Sequence, residues 1–171
     1  MTLGPFPIGG SGNATGPTGY LQLLGPSPYY PYYYYWGYPL SQPQVYGAGG
    51  QFTTTYVEGL LQMVGVTQQP SLGILVVSVF DCQGQYAPGV VVTLDAMDAG
   101  AIHSCTGENL SSAQMSTTTD NTGSIFCVNV PTGSIQLTAT PIALGKPSST
   151  VTAYVLGSAV TRVLLYPTPN P

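Results

Sequence analysis

Residues 73–94 read Gly73-Ile-Leu-Val-Val-Ser-Val-Phe-Asp81-Cys-Gln-Gly84-Gln-Tyr-Ala-Pro88-Gly-Val-Val-Val-Thr-Leu94. Two runs rich in β-branched and aromatic residues flank a turn. Asp81-Cys-Gln-Gly84 and Pro88-Gly89 supply an Asp that can bond its own backbone and glycines able to take positive φ. Further β-rich runs follow, with turn signals every 8–12 residues, the pattern of a sandwich. The expected strands lie near 73–80, 89–96, 113–118, 124–130, 134–140, 149–156 and 159–166. Asp120-Asn-Thr-Gly123, Pro131-Thr-Gly133 and Leu156-Gly157-Ser158 punctuate the later ones. The stretch 72–166 is long enough to enclose a core.

These motifs carry a resemblance. Gly73 to Gly84 followed by Pro88-Gly-Val-Val-Val-Thr-Leu94 resembles the opening of a carboxypeptidase regulatory-like domain. Thr119-Asp-Asn-Thr-Gly123-Ser-Ile-Phe-Cys-Val-Asn-Val-Pro131-Thr-Gly133-Ser-Ile-Gln-Leu137 is similar to its second signature. The resemblance covers about residues 72–166. It implies an all-β, seven-stranded antiparallel Ig-like or transthyretin-like sandwich serving an accessory, structural or adhesive role. The segment 98–116 is long for that family and reads as an inserted loop. The family pattern turns Leu75, Val77, Val79, Val90, Val92, Leu94, Ile125, Cys127, Ile135, Leu137 and Ala139 inward. Alternate strand residues face opposite ways, so Ile74, Val76, Phe80, Val91, Phe126 and Val128 would lie outward. A second apolar face implies a covered sheet or an interaction patch. Adhesin sandwiches related to this family can cross-link a first-strand Lys to a last-strand Asn or Asp. Here 73–80 holds no Lys and 159–166 holds neither acceptor, which argues against such a bond.

Upstream the texture is different. Residues 1–57 contain no charge; Glu58 is the first. Nine of the 13 Tyr lie between Tyr20 and Tyr46, densest in Pro28-Tyr-Tyr-Pro-Tyr-Tyr-Tyr-Tyr-Trp-Gly-Tyr-Pro39. Pro fixes φ and removes donors, so extended polyproline-type backbone is expected, not a central strand. Rings this large seek burial. The natural cover for the second apolar face is therefore this arm, through Tyr29, Tyr30, Tyr32, Tyr33, Tyr34, Tyr35, Trp36 and Tyr38. Either its own domain or a neighbouring copy could receive it, and the neighbour is the favoured reading. Residues 51–57 read as a strand; Leu60, Leu61, Met63 and Val64 read as one helical turn or a continuation of it. The division is an arm over 1–57, a connector over 58–71, the sandwich over 72–166 and a Pro-rich tail over 167–171.

Charge is scarce. The 171 residues hold six acids and two bases (Lys146 and Arg162), 5% in all, against 43% hydrophobic residues. Two bases cannot neutralise a phosphate backbone, which excludes nucleic-acid binding, and they make no patch for an anionic membrane. No apolar run reaches the ~18 residues of a membrane helix. Met1-Thr-Leu-Gly-Pro-Phe-Pro7 lacks the basic and apolar regions of a signal peptide, so a mature form or another export route is expected. At pH 2–3 the net charge would move only from −4 to about +3. A fold tolerant of acid and placed outside the cell is expected.

Candidate chemistry is thin. Cys82, Cys105 and Cys127 form an odd set, for which one disulfide and one thiol is the simple expectation, with three pairings open. Cys127 could equally be a buried free cysteine. His103-Ser-Cys105 lacks the further pair of a zinc site. Asp95, Asp98 and Asp120 make no calcium loop, and Asp120 is better spent on its turn. Nothing brings a Ser–His–Asp set together. Catalytic, cofactor and metal sites are expected to be absent. Asn13-Ala-Thr15 and Asn109-Leu-Ser111 are glycosylation sequons. The reading that accounts for most of these features is a non-enzymatic structural subunit of an extracellular surface assembly, either a virion component or a filament. Its partners would be copies of itself and other structural proteins. The alternative is a secreted adhesion module whose Tyr and Trp36 stack on carbohydrate.

Overall fold

In the computed structural model the described residues are 20–23, 26–35, 52–96, 104–107 and 117–167. Among them are nine strands and one helix: β1 (Tyr20–Leu23), β2 (Tyr32–Tyr35), α1 (Thr54–Val64), β3 (Gly73–Val79), β4 (Val90–Ala96), β5 (Ser104–Gly107), β6 (Ser124–Val130), β7 (Gly133–Pro141), β8 (Ser149–Val155) and β9 (Val160–Leu165). A six-stranded sheet runs β1-β2-β9-β3-β6-β5, and a three-stranded sheet β4-β7-β8 packs across from it. The sandwich is therefore present, with two strands donated by the upstream arm.

The layer between the sheets is aliphatic. Leu75, Val77 and Val79 meet Val90, Val92, Ile125, Cys127, Ile135, Leu137, Ala139, Val163 and Leu165 in one buried cluster, with Leu94 packed at its margin. This is the set expected to turn inward, alternate residues of each strand sharing a face. Every residue of β3 and of β6 is buried, however, on both faces. The outward residues Ile74, Val76, Phe126 and Val128 form a second core with Tyr32, Phe52, Val57, Leu60, Leu61 and Val160. The architecture is thus three layers: helix and arm, large sheet, small sheet.

Three expectations are corrected by this arrangement. The first concerns 51–57, expected as a strand. Thr53 instead caps a helix, its Oγ1 accepting from the Tyr56 N–H at 3.2 Å. Val57, Leu60 and Leu61 then fall at i, i+3 and i+4 on one face, and helical spacing outweighs the strand preference of three threonines. Gly65, at φ 67°, ends the helix in the left-handed conformation, and the Val66 N–H donates to the Leu61 carbonyl at 3.0 Å. The second concerns the arm, expected to be barred from pairing. Between Pro31 and Pro39 lies a proline-free window, and Tyr32–Tyr35 pairs there with β9. The third concerns direction and position of strands. β9 runs parallel to both β2 and β3, because the short β8–β9 connection carries the chain from one sheet to the other. Of the strand expected at 113–118, residues 113–116 lie outside the described residues, and Thr118 bridges Val91. Part of the supposed inserted loop is instead β5, paired with β6.

The connector is held tightly. Asn129 sits at φ 54°, a conformation Asn tolerates better than most residues. Its Oδ1 accepts from the Gln69 N–H at 2.7 Å and its Nδ2 donates to the Thr67 carbonyl at 2.9 Å. Gln68 Oε1 accepts from the Asn129 N–H at 3.1 Å. This reciprocal clamp ties the segment after α1 to the end of β6. Gly73 lies at the same end, where any Cβ would clash with Val155 Cγ1 and the Leu156 carbonyl oxygen. Gly73, Val130 and Gly133 thus mark one end of the sandwich, and Val79, Ser124 and Pro141 the opposite end.

Candidate assembly surface

The outer face of the large sheet is sealed by its own chain. Tyr32 is fully buried against Ile74, Val76, Phe126 and Val128, with Phe52 6.3 Å from the Phe126 ring and 5.9 Å from that of Tyr32. Tyr30 and Tyr34 pack at the margin of this core. Tyr33 instead accepts a hydrogen bond from Gln22 Nε2 at 2.8 Å, and its ring lies 5.6 Å from Tyr20. Tyr35 crosses toward the inner core and hydrogen-bonds the backbone of Tyr154 on β8. Burial, the largest influence, pushes its hydroxyl up to about 12. Tyr29 bridges to Thr53 and keeps an exposed ring. Trp36, Tyr38, Asn13 and Asn109 lie outside the described residues.

Two residues assigned to the covered face do not belong to it. Phe80 lies beyond β3 and stacks between Tyr86 and Tyr166, at 4.8 and 4.7 Å, away from the arm. Val91 is on β4, in the other sheet, opposite Thr140. Outward alternation on β4 turns Val91 away from the large sheet, whose outer face the described part of the arm covers. The arm, moreover, docks within its own chain where a neighbouring copy was favoured: β2 pairs beside β9, the Tyr30 N–H donates to the Phe52 carbonyl at 3.1 Å and the Thr54 N–H to the Pro28 carbonyl at 2.8 Å. With Ile74, Val76, Phe126 and Val128 already covered, any joining surface must be sought elsewhere.

The cysteines resolve simply. Cys105 and Cys127 are registered partners on β5 and β6 and form a disulfide, with Cα atoms 4.0 Å apart, inside the inner core. Cys82 is free and exposed on the Asp81 turn. Joining residues 22 apart in sequence restricts the unfolded chain by an amount of about 3 kcal/mol. The aspartates serve turns. Asp81 Oδ1 accepts from Gln83 and Gln85 N–H groups at 2.8 and 2.9 Å, and Asp120 Oδ1 from the Thr122 N–H at 2.9 Å. Among the described residues no group of three or more His, Cys, Asp or Glu could hold a metal, and no helix is long and apolar enough to cross a membrane.

Two features were not foreseen from the sequence. The β7–β8 hairpin tip, Pro141-Ile-Ala-Leu-Gly-Lys-Pro147, leaves Ile142 63% and Leu144 68% exposed. Aliphatic residues in a Gly/Pro turn, where polar ones are usual, are the signal that could have found them. Toward the other end of the sandwich lies a cleft of about 300 Å3 lined by Tyr30, Glu58, Leu61, Gln62, Val66, Thr67 and Gln68. The Tyr30 hydroxyl is pushed up there, first by burial and then by the Glu58 carboxylate.

No family model matches the chain, and no curated protein matches it. Among solved structures, the shaft pilin SpaA from Lactobacillus rhamnosus GG is similar over 60% of this chain and 48% of that chain, with a TM-score of 0.37 and 11% identity, in a point-mutant form. The form without substitutions is similar over 60% and 50%, at a TM-score of 0.36 and 10% identity. The matched region spans about half the length of the pilin.

Proposed function

We propose that this chain is a non-enzymatic structural subunit of an extracellular surface assembly, with copies of itself and other structural proteins as partners. The hairpin tip carries the reading. Most large apolar side chains of the described residues are sealed in two cores, yet Ile142 and Leu144 stand in solvent at a turn. Clustered exposed apolar groups mark an interaction surface. A buried disulfide suits an oxidising exterior. A surface almost free of titrating groups suits contacts that must outlast changes of salt and pH. The kinship with carboxypeptidase regulatory-like domains belongs to this proposal, supported by the Asp81 and Asp120 turns. A contact made at the end of a sandwich favours a filament over a virion shell. Carbohydrate adhesion is the alternative, supported by the ring, carboxylate and amide lining of the Tyr30 cleft.

The test is particle mass by light scattering across a concentration series, with electron microscopy of the same samples. Mass that grows with concentration, seen as filaments, is expected. A monomer at every concentration overturns the reading, and binding on a glycan array by that monomer would establish adhesion in its place.

A further inference from the structure

The tip and the cleft face opposite ends of one molecule. The Ile142 N–H donates to the Gly89 carbonyl at 3.1 Å, which puts the tip at the Val79–Pro141 end. Thr67 and Gln68, on the cleft wall, are clamped to Asn129 near the Gly73–Val130 end. A seven-residue strand of roughly 20 Å separates the two.

We infer that the hairpin tip of one copy docks in the Tyr30–Glu58 cleft of the next, Leu144 against Leu61 and Val66 and Lys146 against Glu58. This rests on the assembly reading above and gives it a contact. Charge complementarity selects the occupant. The chain has only two bases. Arg162 is half-buried in the large sheet, its Nη2 donating to Ser78 Oγ at 2.7 Å. Lys146 is the exposed one, and it stands two residues from Leu144, the most exposed leucine among the described residues. The cleft offers the matching pair: apolar walls, and a carboxylate beside a tyrosine ring that can receive an ammonium on its face. The tip is also preorganised. Leu144 and Gly145 N–H groups both donate to the Pro141 carbonyl, at 3.1 and 3.0 Å, so little freedom is lost on docking. Tip and cleft are different surfaces, so the contact is heterologous and propagates as an open chain when rotation does not close it. Leu144 supplies most of the affinity, and the exposed ion pair sets register and partner choice.

The experiment compares the full-length chain with Leu144→Ser, Lys146→Glu and Glu58→Lys by sedimentation velocity. Thermal melts confirm that each variant is folded. Leu144→Ser should raise the concentration of half-assembly about tenfold. Each charge reversal should raise it about fivefold. An equimolar mixture of Lys146→Glu and Glu58→Lys copies should return to the wild-type value, because every alternating junction regains opposite charges. If wild type assembles and all three variants assemble alike, the docking is wrong while the assembly reading stands, and another surface accounts for it. If wild type remains monomeric, the assembly reading itself falls.

Discussion

The two faces of the strands β3, β6 and β9 are built from different materials. The inner face is aliphatic and crossed by the Cys105–Cys127 bond. The outer face gathers aromatic rings, Tyr32, Phe52 and Phe126, and near one end turns polar. There Ser78 and Ser124 share a hydrogen bond of 3.0 Å and Arg162 donates to Ser78. The inner face needs only the opposite sheet. The outer face is sealed by residues 30–35 and 52–66, which bring their own strand and their own helix. A strand that is apolar on both sides thus reports a third layer, and the composition of its second face reports what that layer is made of.

The largest expected effect comes from cutting one residue on each face. Phe126→Ala should cost about 3–5 kcal/mol and Ile125→Ala about 2–5 kcal/mol. Chemical denaturation followed by tyrosine fluorescence and by circular dichroism reads both. Coincident transitions in each variant would show that the two layers fold as one unit. If Phe126→Ala separates the two signals, the outer layer is a detachable cover. A smaller effect, about 1 kcal/mol, is expected from Thr53→Ala, which removes the helix cap and touches only the outer layer. Denaturant midpoints measure it, and no change would mean that α1 is held by its apolar face alone. The smallest concerns pH. Tyr35 has its folded pKa raised to about 12, and that of Tyr30 is raised as well. A raised value favours the protonated form in the fold, so this stability is fully present below pH 10 and is lost as pH rises toward 12. Midpoints measured from pH 9 to 12 should fall, and Tyr35→Phe should flatten part of that fall. An equal fall in the variant would trace the effect to other groups.

The inner half of the fold was legible because alternation is a local pattern. Alternation places Leu75 with Val77 on one face, and the resemblance to carboxypeptidase regulatory-like domains supplies the expectation that this face, with Ile125 and Leu137, turns inward. The outer half was legible only as a question. Ile74, Val76, Phe126 and Val128 announced that something covers them; Phe80 and Val91 looked the same in sequence but lie on other surfaces. What decides between these is which strands neighbour each other, a long-range property. Helix α1 was misread because three threonines favour a strand locally, whereas a cap hydrogen bond and a buried stripe favour a helix. The tip and the cleft were missed altogether: neither has a motif, and the cleft is assembled from Tyr30, α1 and the connector only after folding.

The position of β9 bears on how the molecule would carry tension. It lies between two parallel neighbours, registered over four residues with β2 and over six with β3. Bonds in a ladder lie across the strand axis. A pull on the chain beyond Leu165, directed along that axis, must slide β9 past both neighbours at once, loading the two ladders together instead of opening them one bond at a time. The arm therefore does more than cover a face: by adding β2 it braces the last strand from its second side, so the segment that looks least structured in sequence reinforces the fold against being drawn apart.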